Sequence, residues 1–175
     1  MFKLDPNKEY PKKLHSKSLI RFQDCDPLKH LNNAKYFDYF FNAREDHVAE
    51  VYNFDYNDYF ENNHTSWVVY NHQIGYVSSA RVSEWVTIIS STIYYNEDTL
   101  VTEYVMTDEH LQVLKAVLWT TSKYIDVRTG KKTPHPPEVM EFFDKVCLEG
   151  IDFEHTSFNA RIKVIKQELK EGKFV

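Results

Sequence analysis

The chain has 175 residues, 42% hydrophobic and 15% aromatic, enough to bury the core of one domain. A formal net charge of −5 with interspersed Lys and Glu gives no basic field for nucleic acid, and no run approaches the ~18 apolar residues of a membrane span. Two cysteines, Cys25 and Cys147, are too few for a disulfide framework, and MFKLDPNKEYPKKLH lacks the apolar centre of a signal peptide, so a soluble, cytoplasmic protein is expected.

With 4 Gly and 6 Pro the chain carries no linker, repeat or low-complexity tract, so residues 1–175 read as a single domain whose organisation comes from periodicity. SKSLIRF (16–22) is a first strand that ends in the turn formers QDCDP. After a loop to Asn32 or Asn33, either of which can cap a helix, AKYFDYFFNAREDHVAEVYN predicts a helix over about 34–52. Tyr36, Phe37, Tyr39, Phe40 and Phe41 cover most of its circumference, which requires an enclosed helix start; Glu45, Asp46 and Glu50 form a wet face farther on.

The pattern then turns strand-like. Residues 65–76, 84–95, 99–107 and 111–126 are rich in Val, Ile, Thr, Tyr and Trp, and the short turns at NED and DEH make the last three antiparallel neighbours. In TLVTEYVMT, Leu100, Thr102, Tyr104 and Met106 alternate with Val101, Glu103 and Val105, the pattern of a sheet with one buried face. One strand, a buried helix and four strands give an α+β domain in which a curved antiparallel sheet wraps the helix. Pro134, Pro136 and Pro137 end the last strand, and helices follow over about 137–148 and 159–171. On the latter, Lys163, Lys166 and Lys170 form a positive face, either solvated or able to meet phosphates.

The segment DCDPLKHLNNAKYFDYFFNAR resembles the Asp-x-Asp-x-x-Gly-His-Val-Asn-Asn-x-x-Tyr-x-x-Tyr signature of hotdog-fold acyl-CoA thioesterases, the 4-hydroxybenzoyl-CoA thioesterase-like family. Asp24, Asp26, His30, Asn32, Asn33, Tyr36 and Tyr39 carry the match, and the element order follows the family over a core of about 15–145. The remaining 146–175 is a C-terminal helical extension with no place in the minimal family core. Lys29 stands where the family pattern has glycine, so a positive φ there would fall on a side chain that adopts it reluctantly.

The resemblance implies an enzyme that hydrolyses an acyl-CoA, or an acyl carrier thioester, to free acid and thiol without a cofactor, working as a homodimer or a dimer of dimers (homotetramer). It implies that the second aspartate, Asp26, is catalytic, as nucleophile or as general base on water. Free N–H groups at the start of a helix can serve a developing oxyanion. His30, Asn32, Asn33 and Tyr36 are the candidate substrate-binding residues, although His30 can equally fix the loop and the asparagines can equally cap the helix. Asp24 reads as structural, and Cys25, flanked by two carboxylates that suppress a thiolate, reads as a small core residue. The long segment 111–126 is a candidate edge strand for joining two copies.

Other classes fit less well. Asp24, Asp26 and His30 lack the central Gly and terminal Glu of a calcium loop and the further close His or Cys of a zinc site, so no metal is expected. Asp-x-Asp phosphatases need a parallel doubly wound sheet, whereas consecutive strands are predicted here, and no G-x-S-x-G, Walker A or G-x-G-x-x-G motif occurs. Within the same fold the alternatives are a non-catalytic acyl-CoA-binding protein, or a hydratase or dehydratase, whose helix-borne Asp-x-x-x-x-His spacing is absent.

Overall fold

The computed structural model describes residues 8–174; residues 1–7, which open the stretch read above for a targeting signal, and Val175 lie outside the described residues. β1 (Leu14–Leu19) precedes a long helix α1 (Lys35–Tyr52), a short helix α2 (Tyr56–Asn63) and the strands β2 (Thr65–Tyr76), β3 (Trp85–Tyr95), β4 (Thr99–Asp108) and β5 (Leu114–Asp126). A two-residue strand β6 (Lys131–Lys132), α3 (Pro137–Val146) and α4 (Phe158–Lys170) complete the chain. The strands form one antiparallel sheet in the order β1-β3-β4-β5-β2, with β6 on β5. Its inner face wraps α1: Tyr36, Phe40 and Ala43 pack against Ile88, Tyr104, Met106 and Leu118. Apolar side chains spaced by three and four on α1 thus meet the period-two inner residues of three strands.

The predicted strands and long helices lie within a few residues of those observed. β1 ends at Leu19 because Phe22–Asp24 coils into a 3-10 turn. α2 escaped prediction: YNDYFENN is short and polar, and its one local signal is Asp55, whose side chain accepts the N–H groups of Asn57 and Asp58 at 2.8 and 3.1 Å.

Two expectations are corrected. The segment 111–126 is not an edge: β5 is paired on both sides, by β4 and by β2. Its first half is buried on both faces, which suits an interior strand, whereas the edge strand β2 carries exposed Asn71, His72 and Gln73. Nor does the sheet bury one face only. Val101, Glu103 and Val105 of β4 are buried on the outer face by the C-terminal extension, where Ile165 and Leu169 of α4 pack against Ile89, Val105 and Val117.

Close approach of α4 depends on Gly75, since a Cβ there would stand 2.7 Å from Ile162 Cδ1 and 3.3 Å from the Phe158 ring. The helix is also tied down by charge. Arg161 Nε and Nη2 donate to both oxygens of Glu103 at 3.0 and 2.9 Å, and Trp119 Nε1 donates to the same carboxylate at 2.8 Å. All three residues are buried. At the far end of α1, α3 closes the fold, with Val139, Phe142 and Phe143 against Val48, Tyr52 and Tyr124. Among the described residues no helix is long and apolar enough to cross a membrane.

Candidate active site

The loop between β1 and α1 is folded on itself around Asp26. Asp26 Oδ1 accepts the N–H groups of Leu28 and His30 at 2.9 and 3.0 Å, while Asp26 N–H donates to His30 O at 2.8 Å and Lys29 N–H to Asp26 O at 2.9 Å. These bonds pin the carboxylate by one oxygen; the other accepts no hydrogen bond among the described residues. The turn is anchored to the sheet side of the molecule by Leu31 N–H to Ala80 O and Val82 N–H to Lys29 O, at 2.9 and 3.0 Å. It places Lys29 at φ 62°, the left-handed conformation that glycine takes without cost.

Asp24 and Asp26 are divided in role. Asp24 Oδ2 accepts from Tyr39 Oη at 2.9 Å and Oδ1 lies 3.9 Å from Lys35 Nζ, so this carboxylate ties the loop to the first turns of α1. Tyr39 Oη in turn accepts Arg21 N–H at 2.9 Å. Between the two aspartates, burial and then the neighbouring carboxylates push the Cys25 thiol pKa up, which disfavours the thiolate.

The other four predicted residues surround the same loop in different ways. His30 meets Asp26 through its backbone. Asn32 Oδ1 accepts Ala34 N–H at 3.0 Å and its carbonyl accepts Lys35 N–H at 2.8 Å, a turn that leads into the helix; the N-cap position itself is Ala34, and neither asparagine caps α1 through its side chain. Asn33 is exposed and its carbonyl accepts from Tyr76 Oη at 2.9 Å. Tyr36 is buried; its Oη accepts Ala80 N–H at 3.3 Å, keeping its own proton available, and burial raises its pKa. At the start of any α-helix the first N–H groups have no partner within the helix and carry its positive end. The arrangement offers an oriented carboxylate beside amide donors, the two components that acyl transfer to water requires.

A chamber of about 260 Å³ opens farther along α1, between the helix, α3 and the inner faces of β4, β5 and β2. Phe41, Val48, Trp67 and Phe142 supply its apolar walls, and Thr102, Thr120 and Arg44 its polar groups. None of Asp26, His30, Asn32, Asn33 or Tyr36 lines it. Phe37 and Phe41 bridge the distance, each packed on His72 with ring centroids 5.2 and 5.7 Å away. Arg44 was legible only as an interruption: Phe37, Phe41, Arg44 and Val48 share one helical stripe, and the arginine is its single charge.

Arg44 Nη1 and Nη2 reach Ser90 Oγ and Thr92 Oγ1, both at 3.4 Å, and His47 Nδ1 lies 3.1 Å from the same Ser90 hydroxyl. Burial, then the Arg44 charge, lowers the His47 pKa to about 4, so this imidazole is neutral at pH 7.

Comparison with known proteins agrees with this architecture. The probable thioesterase YbaW of Escherichia coli superposes with a TM-score of 0.67 at 25% identity, covering 77% of this chain and 98% of that one. The 1,4-dihydroxy-2-naphthoyl-CoA thioesterase Slr0204 of Synechocystis gives 0.68 at 12% identity over 82% of this chain and 99% of its own. The 12:0-ACP thioesterase of Umbellularia californica gives 0.70 at 12% identity over 83% of this chain and 55% of its own. Among curated proteins no relative gives a significant match. The shared form is the hotdog fold, an antiparallel sheet curled round a helix, and residues 20–143, which include the loop and the whole of α1, match the model of one family. By that match the chain belongs to the thioesterase-like superfamily.

Proposed function

We propose that the protein hydrolyses acyl-CoA thioesters, with Asp26 as the carboxylate that acts on the thioester carbonyl, directly or through water. The observation that carries this reading is the state of that side chain: Oδ2 accepts no hydrogen bond among the described residues, and Oδ1 is held by the Leu28 and His30 N–H groups, in the loop that leads into the start of α1. The N–H groups there would receive the carbonyl oxygen as negative charge develops on it. His30, Asn33 and the Tyr36 hydroxyl surround the thioester in this reading, with Asn32 keeping the helix start in place.

The working form is a homodimer. β2 is an edge strand with Val68, Val69 and Tyr70 exposed on it, and Phe22 and Leu28 are exposed near the aspartate loop, apolar surface that a second copy would cover. Sedimentation across a range of concentrations tests this, with Val69→Lys as the variant that should dissociate it.

The test of the activity is thiol release from a panel of short, long and aromatic acyl-CoAs, with wild type beside Asp26→Asn. A loss of about 10²- to 10⁴-fold in kcat with the fold intact is expected for removal of a general base, and more for a nucleophile. Turnover that survives in Asp26→Asn would remove this residue from the chemistry. Binding of acyl-CoA without any release would make the protein a binder instead.

A further inference from the structure

Arg44 is a buried cation without a counter-ion. It is 9% exposed, and among the described residues no carboxylate forms an ion pair with it. Its hydrogen bonds to Ser90 and Thr92 are both 3.4 Å, at the long end of the range; the Tyr52 side chain is a further hydrogen-bond partner, with its ring centroid 5.8 Å from the guanidinium carbon, and none of these groups is a carboxylate. The same molecule shows how such a group is otherwise treated: Arg161, 5% exposed, is met by both oxygens of Glu103 at about 2.9–3.0 Å. A guanidinium has five N–H donors, and among the described residues those of Arg44 meet hydroxyl groups and no carboxylate. Taking a charge out of water is costly unless it is paired.

What Arg44 adjoins is the chamber. Its walls are apolar and aromatic apart from hydroxyls of Thr102, Thr120 and Ser122, and no Asp or Glu lines it. The neighbouring His47 is neutral and cannot supply the missing negative charge. An apolar cavity with one uncompensated guanidinium selects a ligand that is apolar along its length and anionic at its tip. The volume fits this: scaled from the ~150 Å³ cavity that admits benzene, 260 Å³ holds about ten non-hydrogen atoms. Arg44 lies nine residues beyond Lys35, roughly 13 Å along the helix from the end where the Asp26 loop sits.

We propose that the chamber receives an acyl group ending in a carboxylate, held by Arg44 at its far end, so that the preferred substrates are mono-CoA esters of medium-length α,ω-dicarboxylic acids. This rests on the thioesterase reading for the position of the thioester, and on the chamber alone for the carboxylate.

The experiment compares mono-CoA esters of the six-, eight- and ten-carbon diacids with the methyl-ended acyl-CoAs of equal length, in wild type, Arg44→Lys and Arg44→Met. A carboxylate gained by one charge-assisted hydrogen-bond set is expected to raise kcat/KM about 10- to 100-fold over its methyl-ended counterpart. Arg44→Met should erase that preference while methyl-ended esters are still turned over, and Arg44→Lys should keep part of it. Equal or better use of methyl-ended esters by wild type would overturn the proposal, as would an Arg44→Met variant that slows both classes alike. Direct binding separates this from the activity: Trp67 lines the chamber, so its fluorescence should respond to free suberate and far less to its uncharged dimethyl ester, with Trp67→Phe as control. If no ester is hydrolysed but suberate is bound in preference, the chamber assignment stands and the thioesterase reading falls; if esters are hydrolysed and suberate has no advantage, the reverse holds. The wild-type comparisons decide the matter even where Arg44→Met fails to fold.

Discussion

Removing Arg161 should show how much of the C-terminal extension rests on one ion pair. Glu103 is 2% exposed on the outer face of β4, and in Arg161→Met it would keep Trp119 Nε1 as a donor but lose both guanidinium bonds. Breaking one side of a buried pair costs about 3–5 kcal/mol, because the remaining charge is left without compensation. Urea unfolding of wild type, Arg161→Met, Glu103→Leu and the double variant closes a thermodynamic cycle. The double variant, with two apolar side chains facing each other, should lie within about 1–2 kcal/mol of wild type or above it. A single variant that loses under about 1 kcal/mol, or a double variant as weak as the single one, would refute the argument that the pair is held by mutual compensation.

His47 predicts an acid limit. Its folded pKa of about 4 lies below the unfolded 6.5, so the unfolded chain binds the extra proton first; the stability is complete above pH 6.5 and is lost as pH falls toward 4, by roughly 3 kcal/mol. His47→Gln should flatten that part of the profile measured by urea unfolding between pH 7 and 4.5. Lys29→Gly should stabilise by about 0.5–1 kcal/mol, the left-handed penalty of a side chain less the entropy of glycine, and raise Tm by about 1–4 °C; no rise would mean the turn is unstrained. Gly75→Val should cost about 1–3 kcal/mol by forcing Ile162 and Phe158 away, visible in the same unfolding assay, with Gly75→Ala milder because only the flexible end of Ile162 must move. Asp24→Asn should lower stability by about 1 kcal/mol with thioester turnover largely kept; a collapse of kcat comparable to that of Asp26→Asn would give the first aspartate a chemical role.

Much of this fold could be read locally. The limits of α1 and of β2 to β4 follow from apolar spacing and from turn residues a few positions away, and the loop around Asp26 from the fixed spacing of its polar residues. What could not be read depended on distant partners. Glu103 alternates with Tyr104 and so looks solvent-facing; only Arg161, 58 residues later, makes it interior. β5 looked available as an edge because strand length says nothing of which neighbours pair with it. The aspartate loop was visible in the sequence, whereas the chamber was not, since its walls come from α1, α3 and three strands and only folding brings them together. Arg44 left a faint local trace, one charge in an apolar stripe.

With α1 against its inner face and α4 against its outer face, the central strands of the sheet are covered on both sides, while residues 68–73 of β2 are exposed in an unbroken run. Growth is left to its borders, β1 and β2. A twofold partnership through the β2 border would bind the same strand of each molecule and consume that border, leaving β1 as the free edge of each sheet. The extension after β6 therefore bears on surface as well as stability: by occupying the outer plane over the central strands, it leaves the β2 side as the sheet surface that another molecule could still reach.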